Sequence, residues 1–239
     1  MTTQTENQYA KAAVLLYDGA DLLDFTGPVE VLSHVLHNRD PDDPDSMFII
    51  ETLARTQTIR SGCSLTVRVD KLLDDVVNDL TEYDMLIVPG GPPSVVQPLL
   101  QGDSAEVDVI RRFSALPLSS SQKPRILFSI CTGSLLLGGA GILGGMTVTT
   151  HHRAVDLLRD ICAQFSEKND PPVTVVHKRY IDGGFLKGDT VRLFTAGGVS
   201  SGLDATFHIV RELAGSDMAA FVSRVMEYDW TELKSSKVT

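Results

Sequence analysis

Three short runs of the chain, Ala12–Tyr17, Met85–Val88 and Ile126–Ile130, are apolar at almost every position instead of every second one. A strand apolar on both sides must be covered on both faces. A parallel sheet sandwiched between helices meets that demand. Between these runs lie stretches with helical periodicity. After Pro28, residues Val29, Val31, Leu32, Val35 and Leu36 make one apolar stripe, and Pro28 suits a first helical turn. Asp103–Leu116 repeats the pattern with Val107, Ile110 and Phe113, and His151–Phe165 with Val155, Leu158, Ile161, Cys162 and Phe165. Two more helices follow, one after Gly197–Gly202 and one over Ala219–Leu233. Strands alternating with helices predict an α/β fold: a single doubly wound, mostly parallel sheet with helices on both faces, flavodoxin-like in plan.

Further strands are expected over Met47–Ala54 and Met146–Thr150, with a short β excursion over Gln57–Val69. Val173–Tyr180 and Val191–Ala196 read as strands around a hairpin turn at Asp182-Gly-Gly184. Asn38–Ser46 is an acidic, proline-broken loop. No repeat or internal boundary interrupts the pattern. One domain over residues 10–230 is expected, between a mobile tail at 1–9 and a C-terminal tail at 231–239.

The totals narrow the function classes. A formal net charge of −10 disfavours a nucleic-acid or anionic-membrane partner, which calls for clustered Lys and Arg. No apolar run approaches the roughly 20 residues of a membrane-spanning helix, and the first residues are too polar for a signal peptide. The three cysteines, Cys63, Cys131 and Cys162, are too few for a disulfide framework and too far apart for a CxxC metal site. A cytoplasmic location is the resulting expectation. Cys63 and Cys162 read as structural.

Cys131 is different. It ends the run Ile126–Ile130 and is followed at once by Thr132-Gly-Ser-Leu-Leu-Leu-Gly138, a helix start. A cysteine on so sharp a strand-to-helix turn has the geometry of a nucleophile elbow. The helix dipole there is expected to lower the thiol pKa. The alternative is a buried, inert cysteine in a βα turn. In a doubly wound sheet, ligands bind beyond the carboxyl ends of the strands. Asp24, Gly90-Gly91, Cys131-Thr132 and His151 are all expected at that edge. Asp24 has apolar neighbours that would raise its pKa and let it share a proton with the thiol, or it caps the helix near Pro28. Gly90 and Gly91 form a tight turn, or present N–H groups as half of an anion hole completed by the Thr132 N–H. His151, with His152 beside it, reads as an exposed helix start, or as a group on the substrate side of the same edge.

The segments Asp-Leu-Leu-Asp24-Phe-Thr-Gly-Pro, Val-Pro-Gly-Gly91, Ser-Ile-Cys131-Thr-Gly-Ser, Thr-Thr-His151 and Thr-Ala-Gly-Gly-Val-Ser-Ser-Gly-Leu-Asp204 together resemble the ThiJ/PfpI superfamily, in order from Ala12 to Trp230. The branch they are most similar to is that of the isonitrile hydratases, along with the ligand domain of certain AraC-type regulators. The resemblance implies hydration of an isonitrile to an N-substituted formamide, with Cys131 as nucleophile, Asp24 as acid and base, and Thr132 and Gly91 orienting substrate and water. It implies a homodimer acting on a small molecule, with no cofactor and no metal. Class I glutamine amidotransferases need a His-x-Glu, and His208 is followed by Ile209 and Val210. His152 stands where the branch commonly has Trp. No helix-turn-helix is expected after Trp230. Two other readings remain: glyoxalase-like chemistry on reactive aldehydes, and a cysteine-based redox or ligand sensor.

Overall fold

The computed structural model describes residues 10–62, 64–102, 104–167 and 169–230; both expected tails and Cys63 lie outside them. Strands are numbered in chain order. The central sheet contains β1 (Ala10–Leu15), β2 (Phe48–Ala54), β5 (Lys71–Leu72), β6 (Met85–Val88), β7 (Arg125–Ile130), β10 (Tyr180–Phe185) and β11 (Val191–Ala196). Two ribbons lie outside it: β3 (Thr58–Arg60) with β4 (Thr66–Arg68), and β8 (Thr147–Val148) with β9 (Thr174–Val175). The helices are α1 (Leu22–Ser33), α2 (Leu73–Val76), α3 (Pro93–Val96), α4 (Ala105–Ser114), α5 (Gly133–Gly139), α6 (Val155–Phe165), α7 (Ser201–Ala214) and α8 (Ser216–Val225).

The sheet order is β10-β11-β7-β6-β1-β2-β5, and only β10 runs antiparallel to its neighbour. The all-apolar runs became its centre: β6 and β7 are buried at every position. Arg125 is the one charge in those two strands, and it sits at the start of β7. Its guanidinium donates to the carbonyls of Pro117, Thr81 and Tyr83, so the buried cation does not lack partners. Helices α1, α7 and α8 pack together on one side of the sheet, and α4, α5 and α6 on the other. The chain runs outward from β1 to β2, then returns to place β6 on the other side of β1. That reversal makes the carboxyl ends of β1 and β6 a topological switch point, with β7 alongside, the place where sheets of this kind bind ligands.

Four expectations need correction. Helix α1 starts at Leu22, and Pro28 lies inside it. Thus Asp24 sits in the first turn while Asp21 holds the N-cap position, because Leu22 and Phe25 already give the stripe an earlier start. The segment Asp182-Gly-Gly184 is not the hairpin turn. It lies within β10, where the pairing with β11 shifts between Asp182 and Gly184, and the chain reverses beyond Leu186. A Gly-Gly pair serves a bulge as readily as a turn. The brief strand before His151 pairs with β9, off the central sheet. The last helix ends at Val225, well before Leu233.

Candidate active site

Cys131 has φ +56°, a left-handed backbone that non-glycine residues adopt only when their surroundings enforce it. Those surroundings are explicit. Its N–H donates to the carbonyls of Ala196 (3.1 Å) and Gly197 (2.9 Å), and its own carbonyl accepts the hydroxyls of Thr150 (2.9 Å) and Ser134 (3.1 Å). Gly133 allows α5 to start against β6, since a Cβ there would lie 2.2 Å from the Val88 carbonyl oxygen. The elbow is therefore held from β11, from the segment after β8, and from its own helix.

Asp24 comes from α1 and is completely buried. Its Oδ2 accepts the Gly90 N–H at 3.0 Å, while Oδ1 accepts no N–H or O–H from the described residues. The Cys131 thiol lies beside this carboxyl group. Asp21 completes the cluster: one acidic atom from each of Asp21, Asp24 and Cys131 lies within 4.8 Å of the other two. Burial first, and the Asp21 charge second, raise the Asp24 pKa to about 7 against the pull of the Gly90 N–H. Burial and the Asp24 charge push the Cys131 thiol up to about 12, although the Thr132 and Val199 N–H groups both donate toward the sulfur. The expected lowering by the helix dipole is thus reversed. Helix α5 has only seven residues, and a short dipole loses to burial beside two carboxylates. Between those two values the pair holds a single proton, which rests on the sulfur.

The two glycines do something other than expected. The Gly90 N–H goes to Asp24, and the Gly91 N–H donates to Thr132 Oγ1 at 2.8 Å, so both are engaged within the protein rather than offered to an anion. Thr132 returns its hydroxyl proton to the Gly91 carbonyl at 2.5 Å. Its side chain thus locks the turn after β6 onto the elbow, and its N–H serves the sulfur. Gly90 has no room for a side chain: a Cβ would lie 2.5 Å from the Thr132 nitrogen and 2.9 Å from Cys131 Cβ. His151 is half-buried at the N-cap of a single 3₁₀ turn, its Nδ1 accepting the Arg153 N–H at 3.3 Å. Its ring packs where a Gly198 side chain would go, 2.6 Å from the position of that Cβ. Burial, His152 and Arg153 hold it below the usual imidazole pKa.

Three contributors escaped the sequence reading. Tyr17, buried two residues beyond β1, donates its hydroxyl to the Pro89 carbonyl at 2.7 Å and so fixes the turn carrying Gly90. Val199 supplies the second amide to the sulfur from φ +34°, a conformation no sequence pattern announces for a β-branched residue. The Gly197–Ser200 segment is part of a motif quoted above, but nothing in the motif reveals which amide points inward. Asp21 is the third. A single cation could reach all three acidic groups by distance alone. The three donors nevertheless fall short of the four-ligand tetrahedral pattern of a zinc centre.

A thiol on a nucleophile elbow at the switch point of a parallel sheet, paired with a buried carboxyl, defines a class of cysteine-centred α/β proteins. The model of the DJ-1/PfpI family matches residues 10–210, and the chain belongs to that family. It is 30% identical over 214 residues to an isonitrile hydratase from Pseudomonas putida, covering 90% of this chain and 76% of that protein. A ThiJ/PfpI family protein from Pseudomonas syringae shares the fold with a TM-score of 0.68 at 20% identity, over 97% of this chain and 79% of that one. Drosophila melanogaster DJ-1beta does so with a TM-score of 0.65 at 18% identity, over 93% of this chain and all of its own. Among the described residues no helix is long and apolar enough to cross a membrane.

Proposed function

We propose that this protein is an isonitrile hydratase-like enzyme, converting R–N≡C and water to R–NH–CHO through a Cys131 thioimidate. The observation that carries the reading is the Asp24–Cys131 pair. Adding a nucleophile to an isonitrile places the new bond and the new proton on the same carbon. A catalyst therefore needs its nucleophile and its acid within reach of one atom, and Asp24 and Cys131 meet that need within 4.8 Å. The similarity to a Pseudomonas putida isonitrile hydratase supports the choice of substrate class.

The reactive form is Cys131 thiolate beside protonated Asp24. At rest the proton favours sulfur, and the Thr132 and Val199 amides lower the cost of moving it to the carboxyl. Sulfur attacks the terminal carbon, Asp24 protonates that same carbon, and a neutral thioimidate, Cys131–S–CH=N–R, remains beside the Asp24 carboxylate. Asp24 then takes a proton from water as its oxygen adds to the thioimidate carbon, and passes that proton to nitrogen. Collapse of the tetrahedral adduct breaks the C–S bond, expels thiolate and returns the hydroxyl proton to Asp24. The formamide leaves, and the pair again holds one proton.

The test is formamide production from an alkyl isonitrile, followed by NMR. Wild type is expected to turn over, Cys131→Ala to lose at least about a thousandfold in rate, and Asp24→Asn to fall by about 10²–10⁴. Wild-type inactivity across alkyl and aryl isonitriles would overturn the reading.

A further inference from the structure

We propose that Asp21 is a positioning residue of this site: its negative charge, third in the acidic cluster, keeps the shared proton on the Asp24–Cys131 pair and restrains the thiolate until substrate enters. The inference rests on the catalytic pair above but not on the identity of its substrate.

Asp21 occupies the N-cap position of α1 without capping it, for its side chain accepts no hydrogen bond from the helix. Ser104 of α4 shows the ordinary use of that position, accepting the Val107 N–H. What fixes Asp21 is its backbone, whose N–H donates to the Gly90 carbonyl at 2.9 Å. Gly90 thus holds Asp21 by its carbonyl and Asp24 by its N–H, so the two carboxyls are set against each other by one residue. Among the described residues Asp21 has no ion pair within 4.0 Å. Next to it Asp24 Oδ1 is buried without a hydrogen-bond partner among the described residues, so the offset to a neighbouring charge comes at Oδ2, from the Gly90 N–H.

The groups facing the pair are few. Tyr17 approaches from β1, its own pKa pushed well up chiefly by burial and then by Asp24 and Cys131, so it stays neutral. His151 approaches from the segment after β8 and acts mainly on Asp21, with His152 and Arg153 next to it. From the connection between β3 and β4, Gly62 lies near Asp21, 3.4 Å from Oδ1 to the position its Cβ would take. Glu106 acts on Tyr17 from α4. No Lys or Arg of the described residues forms an ion pair with Asp24. Asp21 and the pair therefore repel one another, and Asp21 raises the affinity for protons of both Asp24 and Cys131.

The test is the pH dependence of Cys131 alkylation by iodoacetamide, read by intact mass and peptide mapping, with buried Cys162 as a slow internal reference. Asp21→Asn and Asp21→Ser differ in shape but both remove the charge, whereas Asp21→Glu keeps the charge and changes the shape. If charge is the cause, both neutral variants are alkylated several-fold faster near pH 7.5, in the direction of a lowered thiol pKa, and Asp21→Glu follows wild type. In the hydration assay the neutral variants should become active at lower pH. Profiles of Asn and Ser that superimpose on wild type, or a Glu variant that moves with them, would overturn the proposal. Because alkylation needs no isonitrile, the result stands whether or not the substrate assignment holds.

Discussion

Asp24 and Asp182 are the same residue in the same fold, both largely withdrawn from water, and they end in opposite states. Asp182 lies at the bulge of β10, where burial pushes its carboxyl up but His208, the Arg192 guanidinium and the Gly184 N–H pull it well below the usual range. Arg192 is shared with Glu212 at 3.3 Å, so this end of the sheet is a network of opposite charges. Asp24 receives one backbone N–H, and its other neighbours are a thiol and a second carboxylate. Burial raises both, Asp182 being the less buried, and partners decide the outcome. Where the fold supplies cations, a carboxylate is structural; where it withholds them, the carboxyl can take up and release a proton near neutral pH.

The sharpest way to break this contrast is to neutralise each residue in turn. Asp24→Asn should remove about 10²–10⁴ of any isonitrile turnover, while Asp182→Asn should retain most of it. Stability should respond in the reverse direction. Asp182→Asn leaves Arg192 with only Glu212 and is expected to cost about 2–3 kcal/mol in urea titrations near pH 7. Asp24→Asn should gain about 1–3 kcal/mol at pH 8. The signs follow from linkage. The folded pKa of Asp24 is raised from 3.8 to about 7, so its contribution is fully present below pH 3.8 and is lost as pH rises through about 7. The advantage of Asp24→Asn should therefore appear across that window. The folded pKa of Asp182 is lowered, so its contribution is present above the unfolded value and lost as pH falls further. Matching effects of the two substitutions on both activity and stability would refute the contrast.

Smaller effects probe the scaffold around the pair. Thr132→Val removes the hydroxyl that both accepts from and donates to Gly91, leaving two buried backbone groups unpaired. It should cost about 1–3 kcal/mol, with a several-fold loss of turnover as the turn carrying Gly90 loosens. The mildest signature is a pH profile. On the proposed mechanism the form with one proton on the pair is the active one, so kcat/KM should rise as pH increases through about 7. A profile flat from pH 5 to 8 would count against proton sharing.

These residues also mark how far the sequence could be read. The sheet was legible because Met85–Val88 and Ile126–Ile130 have no polar face to turn toward water, and Cys131 was legible because the apolar run stops there without a linker. Asp24 could be found from its motif, but its state could not, because that depends on Asp21 and Gly90 arriving from two strand ends. The thiol was expected to be acidified by its helix, and the opposite holds because burial and two carboxylates are tertiary facts. Gly90 and Gly91 signalled a turn, but not which atoms their amides would reach. Val199 gave no signal, since its inward N–H follows from a backbone angle that valine rarely adopts. Asp182-Gly-Gly184 misled for a related reason: the same residues serve a hairpin turn or a bulge, and the choice is made by pairing with β11.

The most direct test of the central claim is the titration of Asp24 itself, by carbon-13 NMR of the carboxyl carbons, assigned by its disappearance in Asp24→Asn. A shared proton on a buried pair predicts a midpoint of about 7, falling when Asp21 is replaced by Asn. A midpoint near the ordinary value of 3.8 would show Asp24 to be a simple carboxylate and would contradict the account.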